Sequence, residues 1–90
     1  MLDDFQWDEE KNQRNKREKG ISFEDVVGIF RDTKALIEEQ ERDGEIRYKT
    51  TGQDEKGFLF TVVFTWRGKA QRIISAWPAS RQERKAYVGR

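Results

Sequence analysis

Between Phe58 and Trp66 the chain alternates with a period of two. Phe58, Phe60, Val62, Phe64 and Trp66 fall on one side of an extended backbone, and Leu59, Thr61, Val63 and Thr65 on the other. A helix cannot hold that pattern on one face, and apolar or β-branched residues on both sides specify an interior strand covered at least partly above and below. The strict alternation assigns Phe58, Phe60, Phe64 and Trp66 to the core. A fold built on this chain therefore has to supply neighbouring strands and a covering layer.

The flanking segments supply both. Asp54-Glu55-Lys56-Gly57 reads as a turn, preceded by a strand over Glu45–Thr51 with Ile46 and Tyr48 on one face and Arg47 and Lys49 on the other. Arg67-Gly68-Lys69 turns the chain into a further strand, Gln71 to Trp77, which Pro78 ends. Ala35-Leu36-Ile37 suits either an edge strand or a helix extension. Tight turns between successive strands make the sheet antiparallel. Ahead of it, Asp8 caps a helix from Glu9 to Glu18 with Gly20 behind it. That stretch has no apolar residue, so it is expected to be exposed or mobile. Ser22 and Asp25 have capping-box spacing, Ile21 can staple onto Val26, and Phe23, Val26, Val27 and Phe30 share a helical face. Ser80 and Glu83 repeat the box at the start of a last helix ending near Val88. The expected class is α+β: N-terminal helices packed on a three- or four-stranded antiparallel sheet, with a C-terminal helix, as one domain over residues 1–90.

Composition narrows the chemistry. The chain has 90 residues, 34% hydrophobic and 39% charged, with no cysteine and no histidine. Disulfides, thiol nucleophiles, zinc sites and imidazole acid–base catalysis are thereby removed, and no cofactor is expected. The N-terminus lacks the pattern of a signal peptide and no apolar run approaches a membrane span, so a cytoplasmic protein without membrane contact is expected. Charge is unevenly distributed. From Trp66 onward seven Lys/Arg face one Glu, net +6, whereas the first 65 residues carry eleven against sixteen, net −5. A dipolar chain of this kind offers a cationic face to a polyanion while keeping its overall charge near zero.

Several ordered motifs resemble the BrnT toxins of bacterial type II toxin–antitoxin systems, which are RelE-like in fold. They begin with Phe5-Gln6-Trp7-Asp8, Lys11 and Asn15 and run through Gly20-Ile21-Ser22-Phe23-Glu24, Asp32 and Arg47 to Gly52. Phe64-Thr65-Trp66-Arg67-Gly68, Arg72-Ile73-Ile74-Ser75-Ala76, Arg81, Glu83, Arg84 and Tyr87 complete the series. Two positions depart from the family pattern: Lys19 stands where the family usually has His, and Trp77 where it usually has Arg. The resemblance implies a ribonuclease that cuts mRNA, free or ribosome-engaged, and so inhibits translation. It also implies a BrnA-like ribbon-helix-helix antitoxin as partner in a two-plus-two complex, with operator DNA contacted only through that antitoxin. The two departures motivate an alternative: a catalytically weak homologue acting mainly as antitoxin partner and transcriptional co-repressor.

RNA cleavage needs neither metal nor histidine if the ribose 2′-hydroxyl is held in line with the adjacent phosphorus and the charge of the pentacoordinate phosphate is met. Arginine suits that task through its fixed charge and planar fork. The catalytic candidates are Arg72, Arg81, Glu83, Arg84 and Tyr87, all within the closing strand–helix unit. RNA-binding candidates are Arg47, Lys49, Lys85, Lys19 and Trp77. Structural alternatives stand beside each. Glu83 is also a capping-box residue, and Arg84 and Tyr87 can stack at i, i+3 spacing. Tyr87 can be core, and Trp77 can meet a base or an antitoxin. Arg72 shares strand parity with Ile74 and Ala76, so it is either half-buried against an acid or aimed into a groove. Arg81 lies in the first turn of its helix, where the dipole disfavours a cation, which suggests an external anion or an acidic partner.

Overall fold

The computed structural model describes residues 4–89. The strand predicted from alternation is central: it lies third in a five-stranded sheet ordered β1-β5-β4-β3-β2. These strands are β1 (Phe5–Trp7), β2 (Leu36–Arg42), β3 (Glu45–Gln53), β4 (Leu59–Arg67) and β5 (Ala70–Pro78). Three helices, α1 (Glu9–Lys19), α2 (Phe23–Val26) and α3 (Arg81–Val88), and a 3-10 turn over Val27–Arg31 complete the fold. The class is α+β as expected, but the sheet is larger than three or four strands and is mixed. The added strand is β1, which runs parallel to β5 with Phe5 opposite Gln71 and Trp7 opposite Ile73. Its three residues are too few to show alternation. The Ala35-Leu36-Ile37 group resolves as the edge strand β2, antiparallel to β3.

One face of the sheet holds the core, built from Phe60, Val62, Ile73 and Ala76 against Phe23, Val26 and Ile29, with Phe5, Trp7, Ile21, Val27 and Phe30 packed at its margin. The second helical segment tightens after Val26 into the 3-10 turn. Three residues per turn align Phe23, Val26 and Ile29, so Ile29 is fully buried while Val27 and Phe30 are only partly so. Of the alternating aromatics, Phe60 and Phe64 are buried, but Phe58 and Trp66 are 59% and 51% exposed. Phe58 precedes the strand in the turn, and Trp66 stands at the strand's far end, outside the core cluster.

Helix α1 is exposed, as expected, at all but Asn12 and Asn15, yet those two polar groups rather than an apolar stripe fasten it to the fold. Asn12 is 1% exposed; its amide donates to Glu24 (2.7 Å) and its oxygen accepts the Phe23 N–H (2.7 Å). The Asn15 amide donates to the Ile21 carbonyl (2.9 Å), while its oxygen faces the Ala76 N–H at 3.4 Å, just beyond the stretch of β5 that β1 pairs. Buried amides satisfied on both sides fix a helix firmly. Asp8 caps the helix start and Gly20, at φ 77°, ends it in the left-handed conformation that favours glycine.

Candidate functional site

A register shift in β5 decides which side chains reach the second face of the sheet. Val63 pairs with Ser75 but Phe64 pairs with Ile73, so Ile74 is an extra residue, a β-bulge. The bulge breaks the parity that the sequence implied. Ile73 and Ala76 both lie in the core, while Arg72, opposite Thr65, and Trp77, opposite Thr61, lie on the other face. Arg72 is thus half-buried on that face, and no carboxylate of the described residues pairs with it; their ion pairs are Arg31–Glu55, Arg47–Glu45 and Lys49–Glu83.

The same face presents Arg47 and Lys49 from β3. Together with Gln40, Glu41 and Arg42 of β2, Val63 of β4, and Ile74, Ser75 and Trp77 of β5, they line a hollow of about 580 Å³. Arg47 and Lys49 are each oriented by one acid. Arg47 donates through Nε to Glu45 (2.9 Å), which leaves its terminal amino groups for another anion. Lys49 Nζ lies 3.0 Å from Glu83 Oε2, with 29% of its side chain exposed against 13% for Glu83. Arg42 was not singled out from the sequence. Its signal lay in the β2 register, since it lies two residues from Gln40, the residue opposite Arg47. A larger groove of about 880 Å³ lies beside α2, but Asp4, Glu24, Asp25, Asp54 and Glu55 line it against only Arg31 and Lys56. It suits a polyanion poorly.

Glu83 ties the site together. Its Oε1 accepts from the Ser80 N–H (2.8 Å), the Trp77 indole N–H (3.0 Å) and the Thr61 hydroxyl (3.0 Å). The Thr61 hydroxyl lies 2.9 Å from that of Thr51, which extends the network to β3. Burial works to raise the Glu83 pKa, but Ser80, Lys49, Trp77 and Thr61 outweigh it and hold the group at about 2. A carboxylate so fully engaged is a weak proton acceptor at neutral pH. The capping box with Ser80 is formed, so this geometry is that of an anchor.

The other candidates fall into three groups. Arg81, Arg84 and Lys85 are exposed on α3, outside the ion pairs of the described residues and outside the residues lining the hollow. Tyr87 is 7% exposed and its hydroxyl donates to Asp32 Oδ2 at 2.5 Å. Asp32 also accepts from the backbone of Lys34 and Gln53, so Tyr87 pins α3 to the loop ahead of β2. Lys19, at the end of α1, reaches around the β5 edge: its Nζ is 5.0 Å from the centre of the Trp77 ring and 3.5 Å from Ser75 Oγ. The two positions that depart from the family pattern therefore touch each other. The structure brings Arg47, Lys49 and Trp77 into the lining of one hollow, with Lys19 against Trp77 and Ser75 beside it; it does not bring Arg81, Arg84, Lys85 or Tyr87 into that lining.

Comparison with known proteins bears on the fold and the family. The model of a family described as ribonuclease toxin, BrnT, of type II toxin–antitoxin system matches residues 7–83. Among solved structures, the 1.1 Å crystal structure of the Brucella abortus ribonuclease toxin, BrnT, is similar with a TM-score of 0.70 and 28% identity, covering 86% of this chain and 96% of that one. No curated protein matches the chain.

Proposed function

Because this chain belongs to the BrnT ribonuclease toxins of type II toxin–antitoxin systems, we propose that it is a metal-independent endoribonuclease that cuts mRNA on the open face of its sheet. The observation that carries this reading is the convergence of Arg42, Arg47 and Lys49 in one hollow, with Arg72 on the same face. In the reaction the 2′-oxygen bonds to the adjacent phosphorus and the bond from phosphorus to the 5′-oxygen breaks, leaving a 2′,3′-cyclic phosphate and a 5′-hydroxyl. The 2′ proton passes to water, and the Lys49 ammonium supplies a proton to the departing oxygen. Arg47 and Arg72 balance the charge that builds on the phosphate, a role guanidinium fills without reorganisation. Glu83 and Tyr87 act by position, one holding Lys49 and Trp77, the other holding α3. Arg81, Arg84, Lys85 and Lys19 extend a cationic track for flanking phosphates.

A type II toxin has an antitoxin partner, and we assign a BrnA-like ribbon-helix-helix protein in a two-plus-two cytoplasmic complex. Among the described residues no helix is long and apolar enough to cross a membrane. The purified chain, freed of antitoxin, is expected to cut single-stranded or ribosome-engaged RNA in EDTA. Arg47→Ala and Arg72→Ala should each lower the rate about 100- to 1000-fold, the scale of losing one preorganised donor to the transition state, with the melting temperature little changed. Loss of cutting in EDTA, or undiminished cutting by the doubly substituted chain, would remove this mechanism. The engagement of Glu83 and Tyr87 in internal bonds favours one second reading, a weakly catalytic co-repressor. RNA left intact alongside tight antitoxin binding would support it.

A further inference from the structure

We propose that the indole of Trp77 is a stacking platform for one nucleobase of the RNA, so that the hollow is a nucleotide subsite with Trp77 taking the base and Arg47 with Lys49 taking the phosphate. The proposal rests on the ribonuclease reading and adds to it the residue that positions the strand. Trp77 is half-buried on the open face and lines the hollow, whose floor beside it includes Val63 and Ile74. Its ring is already fixed: the indole N–H donates to Glu83, which is itself held by the Ser80 N–H and Lys49. An aromatic ring with its polar atom satisfied and its plane locked loses little freedom when a base stacks on it. Lys19 Nζ sits 5.0 Å from the ring centre and 3.5 Å from the Oγ of Ser75, which lines the hollow, so it stands at the rim, where a phosphate beside the stacked base would meet a cation. A volume of about 580 Å³ accommodates a nucleotide. Stacking of this kind tolerates any base, with the larger purines gaining most contact.

The test is 19F NMR of the whole chain labelled with 5-fluorotryptophan, its three tryptophan signals assigned through single Trp→Phe changes. Adenosine 5′-monophosphate should shift the Trp77 signal saturably, whereas ribose 5-phosphate should leave it in place. Trp66, which is 51% exposed, is the internal control. In cleavage of a short RNA, Trp77→Ala should raise KM about tenfold, within the range for removing one stacked base, while Trp77→Phe recovers most of the loss and kcat changes little. A Trp77 signal unmoved by the nucleotide, or one moved equally by ribose 5-phosphate, would overturn the platform even if the chain proves an active ribonuclease. Because the titration does not read cleavage, inactivity of the chain would count against the ribonuclease reading and leave the stacking result standing.

Discussion

Replacing Glu83 by Gln separates an anchoring carboxylate from a catalytic one. Gln retains an oxygen for Ser80, Trp77 and Thr61 but removes the charge that faces Lys49 at 3.0 Å. The fall of the Glu83 pKa from 4.5 to about 2 sets a ceiling of about 3 kcal/mol on what its ionised form contributes. Lys49 keeps 29% of its side chain in solvent, and screening there brings the expected loss to about 1.5 kcal/mol. In a domain of this size that is a fall of about 6–12 °C in melting temperature at neutral pH. Because the folded pKa is depressed, the stabilisation is fully present above pH 4.5 and disappears as pH falls toward about 2. The gap between the native chain and Glu83→Gln should therefore close over that window in thermal melts followed by circular dichroism. Equal melting temperatures at neutral pH, or a gap that persists at the acid end, would refute the anchor. A cleavage rate that collapses in Glu83→Gln, with loss of the acid limb of the pH–rate profile but no loss of stability, would identify Glu83 as the general base instead.

Three further changes probe the frame around the site. Tyr87→Phe removes a hydrogen bond to the Asp32 carboxylate and should cost about 2 kcal/mol, visible as faster amide exchange along α3 with cleavage retained. Asn12→Ala leaves the buried Phe23 N–H without its acceptor and should cost about 2–3 kcal/mol in urea unfolding; a change within error would show that α1 is held by something else. At Gly52 an added Cβ would meet Ala35 Cβ, Ile29 Cβ and the Ile29 carbonyl oxygen, each at 3.2 Å. Backbone and short side chains cannot swing aside, so Gly52→Ala should cost about 1–2 kcal/mol in the same assay.

Much of the frame was legible in the residues because it rests on local rules. The alternation of Phe58–Trp66 marked the central strand, Asp8 and Gly20 bracketed α1, and Ser22–Asp25 and Ser80–Glu83 wrote two capping boxes that both form. Alternation also placed Arg47 and Lys49 on a common face, where the hollow lies. Elsewhere local reading reached its limit. The strand Phe5–Trp7 is too short to carry a period, and its pairing with β5 joins segments more than sixty residues apart. The lack of apolar residues in α1 pointed toward a loose helix, because nothing in a single sequence shows that Asn12 and Asn15 find buried partners in Glu24, Ile21 and the backbone of Phe23 and Ala76.

By itself, the sequence determined the class of the fold, the ends of its main elements and the excess of positive charge near its C-terminus, since helix caps, strand periodicity and net charge depend on neighbours along the chain. Only the tertiary structure decided which cations meet. The extra residue at Ile74 turns Arg72 and Trp77 to the same face as Lys49, and the curl of Lys19 around the sheet edge brings it to Trp77. A bulge changes the facing of every residue beyond it, and it is set by pairing between strands rather than by any property of the residue that bulges.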